Sequence, residues 1–208
     1  MPVANTLALP SRWSSTLSFQ MAVAFGIAVT MAISIITVKG VNPHSLGLAL
    51  ALTARWSFGL FWAAYVGSAL PRLFGPAFNI TRHGREFGLA FAAAHLVHIG
   101  LVIWLYLIAP EPPVSLGVAV FFSIGIFWTY LLAALSIERV AVAFGPATCG
   151  TLRIIGTNYI LLAFLRDFVG GMLSAYDLRH IVTYLPFTLL GIVGPIIRLI
   201  AGVQAKTV

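Results

Sequence analysis

The sequence predicts an all-α integral membrane protein, built as a single domain of six transmembrane helices. Of its 208 residues, 60% are hydrophobic and 8% are charged, whereas soluble domains carry about 25% charged residues. The mean hydropathy is +1.01. Six apolar runs reach the length of about 20 residues that a helix needs to cross about 30 Å of hydrocarbon. Composition and run length together therefore predict a six-helix bundle in a lipid bilayer.

Each apolar run is bounded by charged residues or by residues that break helices. The first run ends before Lys39, and the fourth ends before Glu138. The third run ends at a PEPP motif that begins at Pro110, because proline cannot continue a helix. A GPATCG segment is predicted as the loop before the fifth run, and Pro186 and Pro195 predict kinks in the sixth. The predicted spans cover about 16–38, 46–70, 87–108, 114–137, 151–173 and 181–203.

The distribution of cations predicts the orientation of the bundle. The net charge is +7, from 12 Lys and Arg against 5 Asp and Glu. In a membrane protein such an excess is concentrated in cytoplasmic loops, so it does not indicate binding to nucleic acid. The cations assigned to one side are Arg12, Arg72, Arg82, Arg85, Arg139, Arg153, Arg198 and Lys206, against Lys39 and Arg179 on the other. Both termini are predicted to be cytoplasmic, and residues 70–86 are predicted to form an amphipathic segment on the membrane surface.

Two histidines in the third run form the candidate site. His95 and His98 are three residues apart, so on a helix they share one face, about 60° apart in projection. Ala92 and Ala94 leave space beside them. An ionisable residue inside a span costs about 2 to 3 kcal/mol or more unless it finds a partner. The pair therefore indicates a cofactor or electron-transfer site, with an interhelical hydrogen bond as the alternative.

Charged residues inside the second and fifth runs extend this candidate site. Arg55 is expected either to reach toward the membrane surface or to meet a buried anion, such as a cofactor carboxylate. Arg166 and Asp167 are adjacent, and the helical rise of 1.5 Å per residue puts them at a depth similar to that of His98. Arg55, Arg166 and Asp167 are expected to form one cluster with His98. The alternative is that Arg166 and Asp167 form an ion pair with a purely structural role.

Several chemistries have no counterpart in the sequence. The single cysteine, Cys149, excludes an intrachain disulfide and any site built from cysteines alone. There is no P-loop, no dinucleotide-binding glycine motif and no zinc-protease motif. A redox protein of this composition would therefore depend on a separate redox partner protein or a quinone. The two halves also lack the matching broken helices that are typical of transporters.

Three segments carry a resemblance to a known family. They read TARWSFGLFWAAYVGSALPRLFG, RHGREFGLAFAAAHLVHIGLVIWLY and RVAVAFGPATCGTLRIIGTNYILLAFLRDF. This succession, over about 52–168, resembles the bacterial ferric reductase-like transmembrane domain family, most closely from Arg85 to His98. The resemblance implies a six-helix bundle of the bacterial inner membrane that carries b-type haem between histidines of the third and fifth spans and moves electrons across the membrane. His98 matches the third-span ligand.

The fifth span departs from that family pattern. Leu152 and Arg153 stand where the family has a Leu-His pair, and Arg166 and Asp167 stand where the second histidine would follow. Arginine keeps its proton and is no ordinary axial ligand. Haem would then be held by His98 or His95 alone, or with a remote substitute such as His180.

Two functions from different classes follow from these observations. The first is a haem-associated membrane electron-transfer component with His98 as ligand, His95 as alternative ligand or neighbour, and Arg55 and Arg166 as cofactor contacts. The second is a haem-free scaffold or accessory subunit in which Arg55, Arg166 and Asp167 form a buried ion network. A third function, small-molecule transport or quinone binding, has no specific support in the sequence.

Overall fold

The computed structural model describes residues 15–75, 83–174 and 178–207, and every regular element in these ranges is a helix. Six of the helices are long and apolar enough to cross a membrane, which confirms the predicted helical class and the number of spans. The spanning helices are α1 (Ser15–Lys39), α2 (Pro43–Val66), α4 (Gly84–Ile108), α5 (Leu116–Ala134), α7 (Pro146–Leu173) and α8 (Leu178–Thr207). Two short helices, α3 (Leu70–Phe74) and α6 (Glu138–Phe144), complete the order.

Local chain chemistry determines where the second span begins. Gly40 has a positive φ of 75°, a conformation that glycine adopts without steric cost. The Asn42 side chain accepts a hydrogen bond from the Ser45 N–H, and the Ser45 hydroxyl accepts one from the Asn42 N–H. This reciprocal capping box satisfies two N–H groups that have no partner inside the helix. The helix therefore starts at Pro43, three residues before the predicted start.

The predicted loop before the fifth span is wrong. Gly145 has a φ of 75° and ends α6, and α7 begins at once with Pro146 in its first turn. Proline is favoured there because it needs no N–H partner and its φ already suits a helix. The GPATCG segment is thus a glycine stop followed by the first turn of α7. Its Cys149 is buried, with Sγ 3.4 Å from the Ala141 carbonyl.

The spanning helices pack around α2 and α7. Helix α2 contacts α1, α4 and α8, while α7 contacts α5 and α8. Alanines let α1 and α4 approach closely, and aromatic side chains fill the space between α2, α4 and α7. The alanines are Ala24, Ala28, Ala90 and Ala94. The largest core cluster includes Phe58, Phe61, Phe91, Phe164 and Phe168.

Apolar side chains also cover much of the outer surface. Leu107 and Leu116 are 78% and 81% exposed, and Phe19 is 68% exposed. A monomeric soluble protein rarely exposes such large apolar areas, so these side chains indicate contact with lipid. Of the predicted amphipathic segment, α3 and the residues from His83 onward are described, and residues 76–82 lie outside the described ranges.

Candidate functional site

The two histidines of α4 stack on each other inside the bundle. The His95 and His98 ring centroids are 5.1 Å apart, with 12° between the ring planes. Both side chains are half-buried. Their helix packs closely against α1 and α2. The predicted common face of the pair is therefore present, and it is covered by neighbouring helices.

A threonine of α2 fixes the orientation of the His98 ring. Thr53 is fully buried, and its Oγ1 lies 3.2 Å from His98 Nδ1. The Thr53 hydroxyl also lies 2.9 Å from the Ala49 carbonyl and 3.2 Å from the Leu50 carbonyl of its own helix. When its proton is donated to one of these carbonyls, the hydroxyl oxygen accepts from His98 Nδ1–H. A neutral imidazole protonated at Nδ1 carries its free lone pair on Nε2.

The His95 ring lies against aromatic side chains. Its centroid is 5.3 Å from that of Phe91 in α4 and 6.1 Å from that of Phe164 in α7. His95 Nδ1 is buried and has no hydrogen-bond partner among the described residues. An unpaired buried nitrogen costs free energy comparable to a lost hydrogen bond. Such an atom is a candidate contact for a bound molecule.

Arg55 does not join the histidines. It follows Thr53 by two residues, which is about 200° around a helix, so it points to the other side of α2. Its guanidinium carbon lies 4.8 Å from the ring centroid of Tyr184 and 5.8 Å from that of Phe187, both in α8. Arg55 Nε is buried and has no hydrogen-bond partner within the described ranges. The predicted contact between Arg55 and a cofactor on His98 has no support in this placement.

Arg166 also faces away from the histidines. Its guanidinium carbon lies 5.3 Å from the ring centroids of both Phe121 and Phe122 in α5. Phe164, which contacts His95, precedes it by two residues and so lies on the opposite face of α7. The predicted convergence of Arg55, Arg166 and His98 on one cluster is therefore absent.

The residues of the expected ion network form no close ion pair in the described part of the chain. Asp167 is exposed, and both Arg55 and Arg166 attract its carboxylate electrostatically. Within the described ranges, however, the side-chain ion pair is the one between His83 and Glu86. Both arginines also contact aromatic rings. Arginine interacts favourably with aromatic faces, by about 0.5 to 2 kcal/mol.

Arg153, at the first departure from the family pattern, has a structural role. Its Nη2 donates to the Leu135 carbonyl at 3.1 Å, at the end of α5. His180 contacts Tyr184, with ring centroids 4.9 Å apart, and its Nε2 lies 3.3 Å from Ser174 Oγ. Neither residue contacts the histidine pair. The structure therefore offers no second ligand from these two positions.

The histidine pair can supply one strong ligand to a metal. The two rings are stacked on one helix and would approach an ion from the same side, whereas the two axial ligands of a haem iron lie on opposite sides. No group of three or more His, Cys, Asp or Glu side chains that could hold a bare metal ion occurs among the described residues. His98 fits a haem ligand, because a ligating histidine usually donates its other N–H to an acceptor. Thr53 is that acceptor.

The sequence pattern located His98 but missed Thr53. The two residues are 45 positions apart, and a threonine in an apolar run carries no signal of a partner. Comparisons of the chain with models of protein families, with characterised proteins and with solved structures find no match. The resemblance to the ferric reductase-like family thus stays a prediction.

Proposed function

We propose that this chain is a haem-associated component of a bacterial inner membrane, in which His98 holds a b-type haem through Nε2. The contact between Thr53 and His98 Nδ1 carries this proposal, since Nε2 has the free lone pair when Nδ1 is the donor in this contact. The unpaired His95 Nδ1 beside it is the second support. Both features are expected of a site that receives a ligand.

The side chains around His98 would orient and shield the bound group. Thr53 holds the His98 ring by accepting from Nδ1, and the acceptor raises the basicity of Nε2. Phe91 and Phe164 surround His95 with apolar surface and exclude water there. Bound haem would supply a one-electron couple, whose potential depends on its axial ligands and on burial. Electrons would reach it from a separate redox partner protein or a quinone.

This chain would hold the haem through one residue, His98. His95 is stacked on His98 in the same helix, so the two rings would not hold the group between them. A further ligand would come from a partner chain, and without one the chemistry would shift from electron transfer toward binding of small ligands.

A second candidate function is a haem-free scaffold or accessory subunit. One observation favours it: Phe164 is largely buried and contacts both Phe91 and His95, so side chains fill the space between the third and fifth spans. In this function the His98 to Thr53 contact would only join α4 to α2. It differs from the first in predicting a protein without haem.

Absorption spectra of the detergent-purified protein, oxidised and then reduced with dithionite, test the first function. Pyridine haemochrome quantification should give close to one haem per chain, and His98→Ala should lose most of it. Free imidazole should restore part of the haem, because it can enter the space that the side chain leaves. Sharp α and β bands after reduction would indicate a second ligand from a partner chain.

The control is His44→Ala, which removes an exposed histidine of α2 and should keep full haem. Size-exclusion elution should be the same for all variants, to show that the bundle is folded. If His98→Ala retains all its haem, the ligand assignment is wrong. If the wild-type protein carries no haem after expression with added haem precursor, the scaffold function stands.

A further inference from the structure

A second site lies at the end of the bundle where α2 and α5 end and α4 begins. A cavity of about 630 Å³ opens there between α2, α4, α5, α6 and α7. It is distinct from the histidine pair, since neither His95 nor His98 lines it. Its lining combines charged residues near the helix ends with aromatic residues deeper in the bundle. Such a division suits an amphipathic ligand.

The charged part of the lining is net positive. Arg85 and Arg153 line the cavity, opposed by Glu138, and all three are exposed. Arg85 is the second residue of α4, Glu138 is the first of α6, and Arg153 donates to Leu135 at the end of α5. The three charges therefore lie where spanning helices end, which is the level of lipid headgroups.

The start of α4 adds further donors for an anion. Gly84, the first residue of α4, lines the cavity. No side chain among the described residues caps this helix end, so the first-turn N–H groups have no partner inside the helix. With the positive end of the helix dipole, such groups favour a phosphate. Together with the two arginines they suit an anionic headgroup.

The deeper part of the cavity is apolar. Phe61, Phe91 and Ile160 line it, each at most 4% exposed. Phe91 lies six residues beyond Arg85 in α4, which is about 9 Å along the helix. Helices α4 and α5 contact each other much less than α2 and α4 do. A chain attached to the headgroup could therefore pass between α4 and α5 toward the surrounding lipid.

We propose that this cavity binds an anionic phospholipid. Its phosphate would contact Arg85, Arg153 and the start of α4, while one acyl chain would lie on Phe61 and Phe91. Basic pockets between transmembrane helices are known to bind anionic headgroups. The site does not depend on haem, so its test is separate from that of the proposed function.

Native mass spectrometry of the purified chain in mixed micelles tests this site, with phosphatidylglycerol and phosphatidylcholine of identical acyl chains. Phosphatidylglycerol should bind preferentially. Arg85→Gln and Arg153→Gln should each weaken its binding about fivefold, the effect of one basic residue near an anionic lipid. Glu138→Gln should strengthen it, because the opposing charge in the lining is removed. A merely structural role of these residues does not predict opposite signs.

The control is Arg72→Gln, since Arg72 is an exposed arginine of α3 that does not line the cavity. It should leave lipid binding unchanged. Equal binding of the two lipids, or an unchanged affinity in Arg85→Gln, would overturn the proposal. Displacement of phosphatidylglycerol by millimolar inorganic phosphate would also overturn it, because the site would then recognise the phosphate alone.

Discussion

A hydroxyl group on α2 determines which nitrogen of His98 is free. With its proton donated to a carbonyl of its own helix, Thr53 accepts from His98 Nδ1. Without this contact the ring could rotate or exchange its tautomer. The chemistry of His98 is therefore controlled by a residue that is not itself ionisable.

Replacing Thr53 by valine tests this control. Thr53→Val keeps the side-chain shape but removes one hydrogen-bond partner of the His98 ring, while the Leu50 backbone remains as another. The lost hydrogen bond should destabilise the protein by about 0.5 to 1.5 kcal/mol. Thermal unfolding in detergent measures the loss. If the proposed function holds, haem content or the reduction potential should change as well, because the ligand ring is no longer held.

The matched control is Thr188→Val in α8. Thr188 is 4% exposed, and its hydroxyl donates to Tyr184 of its own helix. This variant should unfold close to the wild-type temperature and keep the same spectrum. An equal loss of stability in both variants would mean that the contact between Thr53 and His98 does not contribute to stability.

At the scale of helices, glycines let α7 pack closely against its neighbours. A Cβ on Gly156 would lie 2.7 Å from Cε3 of Trp128 in α5, and a Cβ on Gly191 of α8 would lie 2.6 Å from a methyl carbon of Leu165 in α7. Helix association in membranes depends on such small residues, because the hydrophobic effect does little to bring helices together within lipid. The contacts of α7 with α5 and with α8 thus each depend on a glycine, which has no side chain.

Adding a methyl group at this interface should separate α5 from α7. Gly156→Ala forces the Trp128 ring to move, and overpacking of this kind costs about 1 to 3 kcal/mol. Gly150→Ala is the control in the same helix, because a Cβ there meets nothing within 4 Å, and alanine favours a helix by up to about 1 kcal/mol. Chemical denaturation in mild detergent should rank Gly150→Ala as the more stable variant. The reverse order would show that the close contact is not a constraint.

At the scale of the whole molecule, the helix ends divide the cations between two sides. Arg72, Arg85, Arg139 and Arg153 lie at one end of the bundle, while Lys39 ends α1 at the other. Cationic loops are retained in the cytoplasm. The end that holds the 630 Å³ cavity is therefore expected to face the cytoplasm.

Cysteine labelling in intact cells tests this orientation. In a Cys149→Ala background, Glu111→Cys should react with a membrane-impermeant maleimide, because the loop that holds Glu111 is predicted to lie outside. Ser68→Cys, between α2 and α3, should react only after the cells are permeabilised. Both positions are exposed, and the cysteine-free parent should not react. The opposite pattern would reverse the predicted topology.

Much of the fold could be predicted from the sequence, because each apolar run must satisfy its own backbone in lipid and therefore forms a helix. The errors lie at helix ends. The start of α7 at Pro146 depends on a glycine turn at Gly145, and α6, with seven residues, is too short to be recognised as a span. These features depend on local turns that hydropathy does not detect.

For the candidate site, the sequence determined that His95 and His98 share a face, because the helical period alone places residues three apart together. The same period places Arg55 and Thr53 on opposite sides of α2, although nothing in the sequence singled out Thr53. Which of these directions meets α4 depends on the packing of the bundle, in which Thr53 contacts His98 and Arg55 contacts Tyr184. The reason is that periodicity fixes relative angles within a helix, whereas the rotation of each helix in the bundle is set by how its side chains fit those of its neighbours.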